Sequence, residues 1–298
     1  MLRPLRFCSY EYQSIPFDIL RVRWRRAEEL GFDVMWNCDT VVEPDHPRMP
    51  IFDGPSTLTA MALETSTIRI GTLVTSQYFR HPVTLVKAAT TVDHLSGGRL
   101  EMALGVGDPS AGSAAVGASW TPAEGVERFR EFVQLTTRLF ANEVTTFQGR
   151  FFSCRDAEML PRAVQDPRPP IAIAAHGPKM LRIVAESADV CSSWGGYGVH
   201  TEDEFLAVTS RRSAELSQLC ADIGRDPRAI RRSLVCFPPL TPWESGDYFR
   251  EMVERFRNVG IDEFVLYWPR HWRPEAAYED EVFDRVCREV IPELRGPG

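Results

Sequence analysis

The chain of 298 residues is 44% hydrophobic and 25% charged, which is ordinary for a folded protein with a full core. Its formal net charge of −7 and its lack of a Lys/Arg-rich block argue against nucleic-acid binding. No apolar run approaches the roughly 20 residues that span a bilayer, so we expect no membrane association.

The cysteines and the N-terminus indicate a cytoplasmic protein. The seven cysteines are scattered and form no CxxC pair, which is typical of reduced thiols. The stretch MLRPLRFCSY has charge and proline where a signal peptide needs a long apolar core.

Apolar strand-like runs alternate with runs of helical period from the start of the chain. LRFCSY predicts a strand, and DILRVRWRRAEELGF predicts a helix that ends at Gly31. The strand DVMWN, a helix over roughly Pro55 to Glu64 and the strand IRIGTLVTS follow. Pro82 is well placed in the first turn of the next helix, and RLEMALGVG forms the fourth strand.

The alternation continues to the end of the chain. After a long amphipathic helix, VTTFQGRFF predicts a small hairpin that is an insertion and not a barrel strand. Four further strands are predicted in PPIAIAA, DVCSSWG, IRRSLVCF and DEFVLYW, each followed by a helical run. Eight strands alternating with helices predict an α/β fold, a (β/α)8 TIM barrel. We expect one domain over residues 1–298, with insertions after strands 4 and 7.

Two glycine clusters flank the fourth strand, and they predict different roles. Gly97 and Gly98 precede the strand, at the end of the barrel that serves stability, and indicate a helix C-cap and turn. Gly105 and Gly107 follow the strand, at the end where barrel active sites lie. There we expect the missing side chains to let a ligand approach the backbone.

The stretch AAHGPKML leaves a strand and opens a helix. Free backbone N–H groups at the helix start, together with Gly177 and Lys179, suit a phosphate. The alternative is a plain turn with a lysine in solvent. Asp39 ends the second strand at the catalytic face, and it is equally typical of a helix N-cap or a loop carboxylate.

The remaining polar and aromatic candidates allow more than one interpretation. Trp194 and Tyr197 leave the sixth strand and could wall a flat ring or a substrate, although Trp194 could equally pack in the core. His81 and His94 are expected to be hydrogen-bonded structural histidines. His176 differs because it lies within the proposed phosphate turn.

Several familiar kinds of site are not indicated. Glu43, Asp45 and His46 are close together but lack regular ligand spacing, so we predict no metal site. There is no GxSxG motif, and GVGDPSAG lacks the dinucleotide fingerprint. The residues alone therefore assign no catalytic side chain.

A longer ordered set of motifs resembles the luciferase-like monooxygenase superfamily, and most of all its coenzyme F420-dependent oxidoreductases. The set comprises AEELGFDVMWNCD, then RHP, DHLSGGR and GVG, then FQGRFF, GPK and VGIDEFVLYW. The resemblance implies a barrel of the bacterial luciferase type, a flavin or deazaflavin at its C-terminal mouth, and redox chemistry. Two departures are Thr40 after Asp39, where the family often has histidine, and Asp108 after Gly107, where it often has tryptophan.

With this resemblance, we predict site residues at the strand ends. The family implies a non-proline cis peptide at Leu73–Val74 that backs the ring. For substrate we expect Tyr10, Tyr12 and Tyr197. The predicted cofactor-binding residues are Asp39, Leu73, Val74, Thr75, Gly105, Val106, Gly107, Asp108, His176, Gly177, Pro178, Lys179, Met180 and Trp194.

The predicted function is hydride transfer between coenzyme F420 and a small organic substrate, in either direction. The cofactor carries the chemistry, and the protein orients it. One alternative is a monooxygenase that uses reduced FMN in a two-component system. Another is a flavin-binding protein without turnover. We expect a small-molecule substrate, a homodimer, and a separate flavin or F420 reductase as partners.

Overall fold

The computed structural model contains an eight-stranded parallel barrel, and it describes residues 3–42, 48–107, 116–117, 120–269 and 276–296. The strands, in chain order, are β1 (Arg6–Tyr10), β2 (Val34–Asn37), β3 (Arg69–Ser76), β4 (Leu100–Gly105), β5 (Val144–Gln148), β6 (Ser153–Glu158), β7 (Ile171–Ala174), β8 (Val190–Ser193), β9 (Arg231–Val235) and β10 (Glu263–Tyr267). The barrel closes in the order β1-β10-β9-β8-β7-β4-β3-β2, which confirms the predicted (β/α)8 fold.

Helices follow the barrel strands and cover the outside of the sheet. They are α1 (Phe17–Glu29), α2 (Gly54–Glu64), α3 (Pro82–Leu95), α4 (Pro122–Ala141), α5 (Pro178–Ser187), α6 (Glu202–Asp222), α7 (Gly246–Asn258), α8 (Ala276–Arg285) and α9 (Ile291–Arg295). A 3-10 turn covers Pro227–Ala229, and a π-helical turn at Val286–Val290 joins α8 to α9. No helix in the described ranges is long and apolar enough to cross a membrane.

Strands β5 and β6 form a separate antiparallel hairpin, as the sequence predicted, in the connection from β4 to β7. The second predicted insertion corresponds to residues 236–245, which join β9 to α7 without a further helix or strand.

Most helix starts are fixed by side chains that the sequence places there. Asp53 accepts from the Ser56 N–H at the start of α2, and His81 accepts from the Val83 N–H at the start of α3. Capping boxes begin α4 at Thr121 and α6 at Thr201. Each of these caps satisfies a backbone donor that a helix start leaves without a partner.

The glycine turns at the N-terminal end of the barrel match the prediction. Gly31 follows α1 with φ of +75°, and Gly97 and Gly98 follow α3 with φ of +65° and +85°. The Gly97 N–H donates to the His94 carbonyl, and the Gly98 N–H donates to the Asp93 carbonyl. These left-handed conformations, which glycine adopts without steric cost, end each helix and return the chain to the next strand.

The core lies in two layers separated by the sheet. Along β1, Phe7 points outward into the large cluster between strands and helices, whereas Cys8 and Tyr10 point into the barrel interior. The interior is apolar at its centre, where the Trp36 ring lies against Gly71 so closely that a Cβ there would be 2.2 Å from it.

A buried charge cluster fills the base of the barrel. Arg6 pairs with Glu101 at 2.6 Å and with Glu263 at 3.0 Å, and Arg69 also pairs with Glu101. Burial raises the pKa of Glu263 to about 7, although Arg6 opposes the rise. A recess of about 570 Å³ opens at this end. Its lining includes Arg6, Arg69 and Glu101, and both arginines already pair with Glu101. We therefore read this end as structural.

Candidate active site

The end of β3 carries the irregular backbone that the resemblance implied. The Leu73–Val74 peptide is cis, and the β3–β4 pairing shifts register between Thr72 and Thr75. Leu73 and Val74 both contact the interior cluster at the C-terminal mouth, whereas Thr75 is buried in the strand. This bulge brings the Val74 side chain over the neighbouring strand.

Gly105 and Gly107 face protein atoms and not open space, so the reason predicted for them is wrong. A Cβ on Gly105 would meet the Val74 Cγ2 at 2.5 Å. A Cβ on Gly107, whose φ is +85°, would meet the Ser76 Oγ at 2.2 Å. Gly105 therefore makes room for the β3 bulge, and Gly107 makes room for Ser76 at the end of β3 and for Tyr78 after it.

The loop after β4 is held by Gln77, a buried residue that sequence reasoning missed. Its Nε2 donates to the carbonyls of Val106 at 3.3 Å and Gly125 at 2.9 Å. Arg128 donates in turn to the Gln77 carbonyl at 2.6 Å. Asp108 lies outside the described residues, as do Glu43, Asp45 and His46.

Asp39 is buried at the end of β2 and pairs with Arg80 at 2.5 Å. Arg80 also pairs with Asp53, the N-cap of α2, at 2.9 Å. Burial raises the pKa of Asp39, and the Arg80 guanidinium opposes the rise. Through Arg80, this carboxylate links the segment after β2 to the start of α3 and to the N-cap of α2. Asp39 therefore behaves as a loop carboxylate and not as a helix N-cap.

The phosphate candidate lies at the start of α5, where the helix has no side-chain cap. Gly177 is the N-cap residue, Pro178 is the first helical residue, and the first turn contains no acidic side chain. Within the described ranges, the N–H groups of Lys179 and Met180 donate to no other group. Nothing lies within 4 Å of a Cβ built on Gly177. The helix therefore presents unused donors to open space, which is the arrangement that binds anions.

Lys179 is exposed beside these donors, and it is one of two lysines in a chain with 32 arginines. The other, Lys87 on α3, donates to the Leu160 carbonyl. No ion pair of Lys179 occurs among the described residues. The rarity of lysine is visible in the sequence, but a count that adds lysine and arginine together hides it.

His176 lies between the α5 turn and the loop after β8. Its Nε2 accepts from the Trp194 N–H at 3.4 Å, and its ring meets the Trp194 ring edge-on at 5.5 Å. Desolvation by its neighbours and the charge of Arg212 lower the pKa of His176 below its usual value. The lowered pKa favours the neutral imidazole, and the cations beside this turn are Lys179 and Arg212.

Aromatic side chains from five strand ends line one side of the mouth. Neighbouring ring centroids are 4.8 to 5.6 Å apart along the series Tyr12, Tyr10, Tyr267, Phe237 and Trp194. Tyr197 adds an exposed ring whose centroid is 5.2 Å from that of Trp194. Sequence analysis had not singled out Phe237 and Tyr267, although both follow predicted strands. We call this set the aromatic wall; its members are Tyr10, Tyr12, Tyr267, Phe237, Trp194 and His176.

Two carboxylates beside the aromatic wall already pair with arginines. Glu11, buried in the loop after β1, pairs with Arg23, and Asp39 pairs with Arg80. Within the described part of the chain, no group of three or more His, Cys, Asp or Glu residues could hold a metal ion. The mouth thus combines an apolar aromatic side with a helix start, at α5, whose backbone donors are unused in the described ranges.

A family model described as luciferase-like monooxygenase matches residues 5–241. The chain belongs to the luciferase-like monooxygenase family. Among the relatives of this luciferase-like protein, the F420-dependent glucose-6-phosphate dehydrogenase of Beutenbergia cavernae is 30% identical, over 90% of this chain and 91% of the relative. The 5,10-methylenetetrahydromethanopterin reductase of Methanolobus tindarius is 32% identical, over 91% and 77%.

Solved structures share the fold of this luciferase-like protein at lower identity. An F420-dependent secondary alcohol dehydrogenase in complex with an F420-acetone adduct superposes with a TM-score of 0.81 at 17% identity, covering 98% of this chain and 99% of that one. A monooxygenase from Streptomyces bottropensis gives 0.79 at 18% identity, over 97% and 99%. At these identities the likeness shows the barrel alone.

Proposed function

We propose that this protein is an oxidoreductase that uses coenzyme F420 for hydride transfer to or from a small organic substrate. The observation that carries the proposal is the uncapped N-terminus of α5 beside Lys179, at the same mouth as the aromatic wall. The names of the relatives support the cofactor, since several are F420-dependent dehydrogenases.

The donor set at α5 fits the phosphate of this cofactor. The N–H groups of Lys179 and Met180 would donate to phosphate oxygens, as would the Lys179 ammonium. The small residue Gly177 leaves the approach open. With the pKa of His176 lowered, the cations beside this turn are Lys179 and Arg212, and both favour an anion here.

The apolar interior fits the ring of the cofactor. Val74, raised by the β3 bulge against Gly105, would form the floor under one ring face. Trp194 and Phe237 would flank the ring and exclude water from it. When bound in reduced form, the deazaflavin supplies a hydride. Tyr12 and Tyr267 remain to contact the substrate, so the wall favours a substrate with an apolar or planar face.

A monooxygenase that uses reduced FMN is the second candidate, because the same α5 donors suit the FMN phosphate. A separate reductase would then supply the reduced flavin, and a homodimer remains our expectation for the assembly. We also propose that the chain forms one domain, because β1 and β10 pair along their whole length.

Titration of wild-type protein with F420 and with FMN, followed by cofactor fluorescence, tests the proposal. We expect F420 to bind more tightly. Lys179→Ala should weaken F420 binding by about 1–3 kcal/mol, the size of a hydrogen bond to a charged group. Lys87→Ala, which removes the other lysine, on α3 beside the Leu160 carbonyl, should leave the dissociation constant unchanged.

Each outcome of this titration has a distinct meaning. Tighter binding of FMN would favour the monooxygenase, and binding of neither would refute both candidates. An unchanged dissociation constant in Lys179→Ala would refute the placement of the phosphate. Binding of F420 without turnover of any acceptor would favour the non-catalytic flavin-binding alternative.

A further inference from the structure

Arg212 on α6 joins the two loops that form one side of the mouth. Its Nε donates to the His176 carbonyl at 3.1 Å, and one Nη donates to the Gly195 carbonyl at 3.2 Å. The other Nη donates to the Trp194 carbonyl. In the described part of the chain, Arg212 pairs with no carboxylate, so its hydrogen bonds go to the backbone of these loops.

These three bonds fix the direction of three N–H groups. In a trans peptide unit the C=O and the following N–H point to opposite sides of the chain. With their carbonyls turned toward Arg212, the peptide units direct the N–H groups of Gly177, Gly195 and Gly196 away from it. Within the described ranges, none of these N–H groups donates to another residue.

Helix α6 also explains why the second loop contains two adjacent glycines. A Cβ on Gly195 would lie 2.0 Å from the ring of Phe205, a fully buried residue of α6. Gly196 has φ of +101°, a conformation that side chains rarely allow. The same helix therefore sets the path of the loop and holds its carbonyls.

We propose that Arg212 is a positioning residue for the anionic group of the bound cofactor, holding the N–H groups of Gly177, Gly195 and Gly196 toward it. The anion site then spans two loops, after β7 and after β8, and is not confined to the α5 turn. This inference rests on the proposed function, because it assumes a phosphorylated cofactor at this mouth.

The geometry needs arginine and not merely a positive charge. A guanidinium presents a planar fork of five N–H donors, whereas an ammonium is a compact point charge. Lysine at position 212 cannot hold three carbonyls from two loops in one arrangement. Arg211, the preceding residue of α6, is exposed and has no hydrogen bond or ion pair in the described structure, so it provides a matched control.

The test compares Arg212→Lys with Arg211→Lys for two ligands: F420, and the deazaflavin riboside that lacks the phosphate. Arg212→Lys should weaken F420 binding about tenfold or more, as expected when one or two charge-assisted hydrogen bonds lose their orientation. Riboside binding should fall much less, because only the position of Trp194 beside the ring is affected, and Arg211→Lys should change neither. An equal loss of both ligands would indicate a merely structural role, and no loss would likewise overturn the proposal.

A measurement on the wild-type protein covers the case in which the variant does not fold. Labelling with 15N-glycine gives amide signals from the 20 glycines. Those of Gly177, Gly195 and Gly196 should shift more with F420 than with the riboside, and equal shifts would overturn the proposal.

The failure of the proposed function is distinguishable from the failure of this one. If wild-type protein binds FMN but not F420, the F420 assignment fails. The role of Arg212 is then tested in the same way, by comparing the binding of FMN with that of riboflavin, which lacks the phosphate. If neither phosphorylated ligand binds, both proposals are overturned.

Discussion

Replacing Gly107 with alanine should destabilise the protein because its missing side chain makes room for other protein atoms. The residue has φ of +85°, and an added Cβ would lie 2.2 Å from the Ser76 Oγ and 2.8 Å from the Tyr78 ring. Real Cβ atoms essentially never approach other heavy atoms this closely, so Ser76 at the end of β3 or Tyr78 after it must move. Gly97 offers a matched control, because its φ is +65° but a Cβ there would meet nothing within 4 Å.

The two substitutions separate the two costs. A left-handed alanine costs about 1–2 kcal/mol, and this applies at both positions. Overpacking adds about 1–3 kcal/mol at Gly107 alone. We therefore expect the free energy of unfolding to fall by about 1–2 kcal/mol in Gly97→Ala and by about 2–5 kcal/mol in Gly107→Ala. For 298 residues, the typical unfolding entropy makes 1 kcal/mol about 1.6 °C in Tm.

Thermal unfolding followed by circular dichroism measures the difference. Gly107→Ala should melt about 3–8 °C below the wild type, and Gly97→Ala should melt about 2–3 °C below it. Equal losses in the two variants would refute the packing argument. If Gly107→Ala kept its Tm but lost cofactor binding, the glycine would face the ligand after all.

Two further substitutions test the bulge and the base of the barrel. Gly105→Ala should lower Tm because the new Cβ would meet the Val74 Cγ2. Adding Val74→Ala should recover part of the loss. A double variant that is no more stable than Gly105→Ala would contradict this contact. At the base, the pKa of Glu263 is about 7 in the folded protein, which is above its value in the unfolded chain. The folded protein therefore gains stability from the protonated carboxyl. This gain is complete below the unfolded pKa and declines as pH rises toward 7. Glu263→Gln should make the decline in Tm between pH 5 and pH 7 shallower, and an unchanged slope would contradict the assignment.

The sequence predicted features whose cause is local. Strands and helices follow from alternating apolar runs, and the turn at Gly97 follows from a glycine pair between a helix and a strand. The α5 turn was recognised because Gly177 and Lys179 are adjacent in the chain to the strand and helix that position them.

Features that depend on distant residues were missed or misread. Arg212 contacts carbonyls 36 and 17 residues away, and nothing in α6 marks it as different from Arg211. Tyr267 joins Tyr12 only because the barrel closes. The role of Gly107 was misread because a glycine in a sequence does not show whether protein or ligand occupies the space beside it.

The pairing of β1 with β10 governs how this protein is made. All five residues of β1, from Arg6 to Tyr10, find partners in β10, which also pairs with β9. During synthesis the ribosome therefore releases seven barrel strands before the one that joins the two ends. Until Tyr267 emerges, β1 and β9 are open sheet edges, the kind of surface on which other chains add strands. A chain without β10 would lack the strand that pairs with both β1 and β9, so the barrel described here could not close.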